Sequence, residues 1–318
     1  MTATATNPEL PSSRVGRWFY ALKPASWPKL LVPTLLGQVL GMVSVGSVSL
    51  AALWLGFAFT VVGLGFIVLL NDWGDQRVDT VKREMFPNGC SPKTIPDRIL
   101  SSRAVGTAGL ILGLVALGCT AVAQVVLGRA HAVEAGILCM AIFAAYSLPP
   151  IRLNYRGGGE GLEMLGVGVA LPLYNVYLQA GFIDGGMWPW VTGFALLSLA
   201  SGIASGLSDE ESDRRGGKRT LASVYGNRAA RRATEACVLL GAGVWALGVF
   251  VSPEWVRPWA AAPALAVVAW RYASLRRTTE QAVTNAFDAQ GRYKRFLHGA
   301  IWHSTGVAAF MLWLGMVS

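Results

Sequence analysis

The chain has 318 residues, of which 53% are hydrophobic and 14% charged, and its formal net charge is +9. A water-soluble domain of this size carries roughly a quarter of its residues as charges, so the composition excludes an ordinary soluble globule. The positive excess alone would admit nucleic acid as a partner, but its placement along the chain excludes that reading.

Residues 1–28 read as a tail followed by an interfacial segment. The first twenty residues have no apolar core, so no cleaved targeting peptide is expected. From residue 29 onward, apolar stretches near or above 18 residues recur to the C-terminus. They predict nine membrane helices, at 29–47, 50–72, 104–127, 132–149, 163–181, 187–207, 234–252, 258–274 and 297–316. The eighth is short and carries Pro263. Residues 29–318 thus read as one all-α integral membrane bundle. With nine spans, 25 of the 27 Lys and Arg fall on one side and only Arg129 and Arg257 on the other. By the positive-inside rule, the N-terminus and the basic loops face the cytosol. There the basic residues lie beside anionic lipid head groups or bind an anionic substrate.

The second predicted helix ends in the first acidic motif, N-D-W-G-D-Q-R-V-D at 71–79. At 100° per residue, Asp72, Asp75 and Asp79 fall within an arc of about 60°, with Asn71 about 40° beyond. The sixth helix ends in the second, D-E-E-S-D-R-R-G-G-K-R-T at 209–220. Asp209 and Asp213 stack one turn apart, while Glu210 and Glu211 point progressively away. Helices two and six run in the same direction and each motif is followed by a basic loop. This suggests two parallel four-helix halves plus one extra helix.

A single motif of this kind reads as a solvated helix end with local charge pairs. Two clusters on same-direction helices at a membrane boundary instead repel and lose hydration, so they call for cations. Mg²⁺ takes one or two carboxylates and fills its shell with substrate phosphates. Two or three Mg²⁺ ions bridging a diphosphate would suit Asp72, Asp75, Asp79, Asp209 and Asp213, with Arg and Lys completing the clamp.

Other residue types carry less. Cys90, Cys119, Cys139 and Cys237 show no C-x-x-C spacing, so neither a disulfide nor a zinc site is implied. His131, His298 and His303 are scattered and are not expected to be catalytic. The twelve tryptophans read mainly as interfacial anchors or packing, and Gly157-Gly158-Gly159 reads as a flexible turn rather than a phosphate loop.

The two motifs resemble those of the UbiA superfamily of intramembrane prenyltransferases. The match is N-D-x-x-D-x-x-x-D at 71–79 and D-x-E-x-D-x-x-x-G-K-R-T at 209–220, with the glutamate read at Glu211. The resemblance covers nearly the whole chain and implies a UbiA-like nine-helix bundle with both motifs at its cytosolic rim. It also implies that Asn71, Asp72, Asp75, Asp79, Asp209 and Asp213 bind Mg²⁺-diphosphate. Lys218 and Arg219 match the family's G-K-x-T element and are implied to contact the diphosphate. So is Lys93 of P-K-T-I-P, which stands where members often have arginine, keeping the charge but not the two-pronged fork. Y-S-L-P-P-I-R-L-N-Y-R-G-G-G-E at 146–160 and Y-L-Q-A-G at 177–181 resemble segments of 1,4-dihydroxy-2-naphthoate prenyltransferases of the menaquinone pathway. L-K-P-A-S-W-P at 22–28 and N-D-W at 71–73 lean toward chlorophyll synthases. Tyr146, ending the fourth helix, would face a developing allylic cation or orient substrate.

The expected activity is Mg²⁺-dependent ionisation of an allylic isoprenoid diphosphate, with the cation captured by an aromatic acceptor inside the bilayer of a bacterial inner membrane. A membrane terpene cyclase without an external acceptor is the alternative. A cation transporter is a third reading, and it would need its acids at mid-membrane depth.

Overall fold

The computed structural model describes residues 10–87, 90–284 and 286–318. Among these residues the regular elements are all helical. In chain order they are α1 (Arg14–Leu22), α2 (Pro28–Val45), α3 (Leu50–Gly74), α4 (Gln76–Met85), α5 (Ser102–Leu127), α6 (Ala132–Ser147) and α7 (Gly159–Ala180). There follow α8 (Trp188–Ser205), α9 (Glu210–Gly216), α10 (Leu221–Tyr225), α11 (Asn227–Val251), α12 (Pro258–Thr278) and α13 (Asp288–Val317). Their starts and stops follow local chemistry. Ser49 and Ser101 accept from Ala52 and Ala104 N–H, both at 3.2 Å, at the heads of α3 and α5. Gly46, Gly128 and Gly181 end α2, α5 and α7 in the left-handed region, as is usual for such glycines.

Each of the nine expected spans coincides with a helix. Seven segments are long and apolar enough to cross a membrane: α2, α3, α5, α7, α11 and α13, and Gly185–Ser208, which contains α8. The other two fall short for different reasons. α6 has 16 residues, and α12 has 21 but carries Arg271, Arg276 and Arg277 over its last two turns. Two starts lie well over one helical turn earlier than expected, α11 at Asn227 and α13 at Asp288. The added turns bear Arg228, Arg231 and Arg232 in one and Arg292, Lys294 and Arg295 in the other. Backbone hydrogen bonding continues a helix past the end of its apolar stripe, which hydropathy does not register.

α3 packs along α5, α8 along α11, and α2 wedges between α7 and α13. The wedge depends on small residues. A Cβ on Gly37 would lie 2.2 Å from the Pro172 carbonyl oxygen, so only glycine lets α2 meet α7 at that point. Near the same contact Gln38 donates to Asn175 Oδ1 (2.8 Å) and Gln179 donates to Gln38 Oε1 (2.7 Å), which satisfies three amides buried among apolar helices. A second core forms around the fully buried Trp190 and Trp245, whose indoles donate to the carbonyls of Trp255 and Trp190. Arg129, one of the two basic residues expected opposite the acidic motifs, donates to the Leu178 and Gln179 carbonyls at the far end of α7. The cysteines are all free.

Candidate active site

Asp75 occupies a break between α3 and α4 (φ −98°, ψ 11°). The hydrogen-bond ladder nonetheless runs through it: Asp75 N–H donates to Asn71 O and Asp79 N–H to Asp75 O, both at 2.9 Å. The helix expected to carry the first motif is therefore two helices, yet Asp72, Asp75 and Asp79 keep one face. The second motif repeats the arrangement. α8 gives way to α9 at Asp209 (φ −117°, ψ 2°), and α9 packs against α4. The two motifs thus meet at one end of the bundle.

Of the five aspartates, Asp72, Asp75, Asp79 and Asp213 are 2%, 3%, 7% and 3% exposed. Burying four carboxylates together is strongly unfavourable unless each is compensated, and lysines supply most of the compensation. Lys23 pairs with Asp72 and Lys93 with Asp79. Lys218 reaches across to Asp75 at 2.8 Å, and Lys82 reaches in the opposite sense to Asp209. The last two pairs stitch the motifs to each other. Threonines add a matched pair of bonds, Thr94 Oγ1 donating to Asp72 (2.6 Å) and Thr220 Oγ1 to Asp213 (3.3 Å).

The loops hold these groups in place. Asp97 accepts two bonds from the Arg83 guanidinium and one from the Tyr20 hydroxyl, all at 2.6 Å, and one from Lys93 N–H at 3.1 Å. Burial works against the Asp97 carboxylate, but Arg83 and Tyr20 outweigh it and keep the group below its usual range. This clamp aims Lys93 and Thr94 at the first motif. On the other side Tyr155 donates to Asp75 (2.9 Å), steadied by the Arg152 guanidinium 3.8 Å over its ring. Burial, together with the Asp75 charge, pushes the Tyr155 hydroxyl up, so it remains a donor. Burial also pushes Asp213 up to about 6, against the pull of Lys218 and Lys82. For Lys218, burial is outweighed by Asp75, Tyr146 and Asp213, which hold its ammonium well above the usual range.

A cavity of about 290 Å³ opens from this cluster into the bundle. Its polar end carries Lys23, Asn71, Asp72, Tyr146, Asp209 and Lys218, and its walls are apolar, with Leu64, Ile67, Val68, Phe143 and Val167. A smaller space of about 50 Å³ adjoins it beneath Tyr146, between Asp213 and Glu160. Asn71 accepts from Ser147 Oγ at 2.7 Å, which fixes its amide at the cavity edge.

Nine of the ten expected site residues therefore gather at one place. Arg219 does not: it is exposed and lines neither cavity. Glu210 is tied to Arg214, Asn227 and Thr284, in keeping with its place off the site-facing side of the helix. Sequence reasoning missed Lys23, Lys82, Thr94, Tyr155 and Asp97. Lys82 had a signal, since it follows Asp75 by two helical turns on the same face. Lys23 and Tyr155 reach the site only through tertiary packing.

Among the described residues no three Asp, Glu, His or Cys side chains are grouped as a ready-made metal centre. The donors nonetheless suit a hard cation. They are all oxygens, they occur in small sets, and Mg²⁺ draws its remaining ligands from phosphate. The acids stand where α3 passes into α4 and α8 into α9 rather than midway along the long helices.

The profile of the UbiA prenyltransferase family matches residues 30–314. The 1,4-dihydroxy-2-naphthoate octaprenyltransferase of Bacillus subtilis (strain 168) is 26% identical over 245 residues, spanning 74% of each chain. A UbiA homologue from Archaeoglobus fulgidus, bound to GPP and Mg²⁺, superposes with a TM-score of 0.63 at 16% identity, covering 94% of this chain and 99% of its own. The apo UbiA homologue from Aeropyrum pernix K1 gives 0.67 at 15% identity, covering 88% and 96%. At these identities the structural likeness shows a shared fold.

Proposed function

The chain belongs to the UbiA prenyltransferase family and is an integral-membrane prenyltransferase, and from that premise we propose that it moves an isoprenoid chain from an allylic diphosphate to an aromatic acceptor with the help of Mg²⁺. The observation that carries this reading is the meeting of both acidic motifs, each aspartate but Asp213 bearing a lysine, at the polar end of an apolar cavity. In this reading all nine long helices cross a bacterial inner membrane with the motif end facing the cytosol.

Asp72, Asp75, Asp79, Asp209 and Asp213 would hold the metal, which neutralises charge on the departing diphosphate. Lys23, Lys82, Lys93 and Lys218 already lie against those carboxylates, so each needs only a short swing to place its ammonium on a phosphate oxygen. The Asn71 amide and the Tyr146 hydroxyl orient the allylic end. Leu64, Ile67, Val68 and Phe143 receive the prenyl tail and keep water from the cation until the acceptor attacks. The tail binds apolar wall, so differences in chain length are read by the depth of the cavity rather than by polar contacts. The naphthoate named for the Bacillus subtilis relative supports an aromatic, menaquinone-type acceptor.

Asp72→Asn and Asp209→Asn should each abolish prenyl transfer and diphosphate release in purified, folded enzyme, and Asp209→Asn should also melt earlier because it leaves the buried Lys82 ammonium without its partner. Full activity in both variants would overturn the assignment. A cyclic hydrocarbon formed from the allylic diphosphate alone would instead favour a cyclase on the same scaffold.

A further inference from the structure

One ion pair in the cavity takes no part in the metal cluster. Glu163, in the first turns of α7, meets Lys29, from the first turn of α2, at 2.6 Å, and both line the apolar cavity opened by the motifs. The Glu163 side chain is 11% exposed, and its Oε1, although close to the ammonium, has no hydrogen bond of proper geometry. The carboxyl lies against α8 at Gly202, where a Cβ would stand 3.1 Å from Oε1. Tyr146 lines the same cavity and feels the charges of Lys218, Glu163, Asp75 and Glu160. Lys294 and His298 of α13 are near enough to Lys29 to feel its charge. A buried carboxylate oxygen without a hydrogen bond of good geometry is costly unless it serves a ligand.

We propose that Glu163 and Lys29 form the acceptor's site: Lys29 binds the carboxylate of a hydroxyaryl carboxylate, and Glu163 is the catalytic base that takes its hydroxyl proton. This rests on the aromatic-acceptor reading above. The hydroxyl proton passes to Glu163, and the oxygen's electron pair drives a new bond from the neighbouring ring carbon to the allylic carbon. The C–O bond to diphosphate breaks with its pair leaving on the diphosphate. The resulting dienone regains aromaticity by moving its ring proton to oxygen through water. No further oxidant or co-reactant is required.

The test uses full-length purified enzyme with Mg²⁺, geranyl diphosphate and 1,4-dihydroxy-2-naphthoate. Glu163→Gln should lower kcat at pH 7 on the order of 10²-fold, a usual loss for a general base, with KM for geranyl diphosphate within about twofold. Transfer by Glu163→Gln should recover toward pH 10, where the acceptor hydroxyl ionises unaided, and Glu163→Asp should restore part of the rate at pH 7. Lys29→Met should raise KM for the naphthoate about tenfold but leave 1,4-dihydroxynaphthalene, which lacks the carboxylate, unaffected. An active wild type with unchanged kcat in Glu163→Gln sinks this assignment alone. A variant that also loses affinity for geranyl diphosphate, or stays inactive at pH 10, assigns Glu163 a structural role and sinks it too. Wild-type enzyme that prenylates no hydroxyaryl acceptor overturns the parent reading as well.

Discussion

Asp213 is the motif aspartate with no lysine within ion-pair distance among the described residues; its carboxylate receives one bond, from Thr220. Burial raises it to about 6 against the pull of Lys218 and Lys82. With Asp213 as a metal ligand, as proposed above, protons and Mg²⁺ would compete for its oxygens, so the apparent KM for Mg²⁺ should be flat above about pH 7 and rise as the pH falls through 6. Below 6 a single proton gives up to about tenfold per pH unit. Asp213→Asn should flatten that dependence while raising KM for Mg²⁺ at every pH; a Mg²⁺ titration from pH 5 to 8 measures both. The lysines act through charge in a different way. Lys218→Met would leave Asp75 buried with only Tyr155 and Asn154 as donors. Stranding a buried charge costs about 3–5 kcal/mol, so this variant should melt earlier and bind diphosphate more weakly. In Lys218→Met/Asp75→Asn the melting temperature should recover while activity stays absent, a split that calorimetry and a turnover assay resolve.

At the scale of elements, the site depends on how closely α4 and α9 approach. A Cβ on Gly216 would fall 2.4 Å from Val78 Cγ2, and a β-branched neighbour has little freedom to yield. Gly216→Ala should therefore push α9 from α4, cost about 1–3 kcal/mol and weaken both cross-motif pairs, Lys82–Asp209 and Lys218–Asp75. The readouts are a lower melting temperature and a raised KM for the allylic diphosphate with KM for the acceptor little changed. The long helices themselves were legible because lipid-facing runs announce themselves by composition alone. The short ones were not: α4, α9 and α10 are polar or brief, and their place is set by the ion pairs they make. In the same way Asp72, Asp75 and Asp79 could be put on one face from spacing. Lys23 lies 49 residues from Asp72 and Tyr155 lies 80 from Asp75, and no local periodicity links such partners.

For the molecule as a whole, the split of basic residues reads as an orientation. Lys23, Lys82, Lys93 and Lys218 stand at the motif end, and Arg129 caps the other. With the native cysteines replaced, a single cysteine at Arg215 should be shielded from a membrane-impermeant maleimide in intact cells and react in inverted vesicles. One at Ser47, in the turn between α2 and α3, should show the opposite pattern. Matching labels at both positions would contradict the topology. The sequence could place both motifs at the same end because counting spans is enough for that. It could not show the cavity, since which side chains line it depends on how α2, α3, α6, α7 and α8 pack, and their contacts are distant in the chain.

The lysine-paired aspartates also bear on the order of events. At rest four of the five aspartates form near-neutral couples, each held by an ammonium tethered to the same fold. A bare divalent cation would have to evict a counter-ion that cannot diffuse away, at an effective concentration far above that of free salt. A diphosphate changes the exchange, because it offers each displaced ammonium a new anion within reach. Metal and diphosphate should therefore load and leave as a unit. Calorimetry with Mg²⁺ alone should show weak, millimolar binding that tightens sharply once inorganic diphosphate is present. After each turnover the ammonium groups would fall back on the carboxylates, so the resting enzyme rearms without outside help.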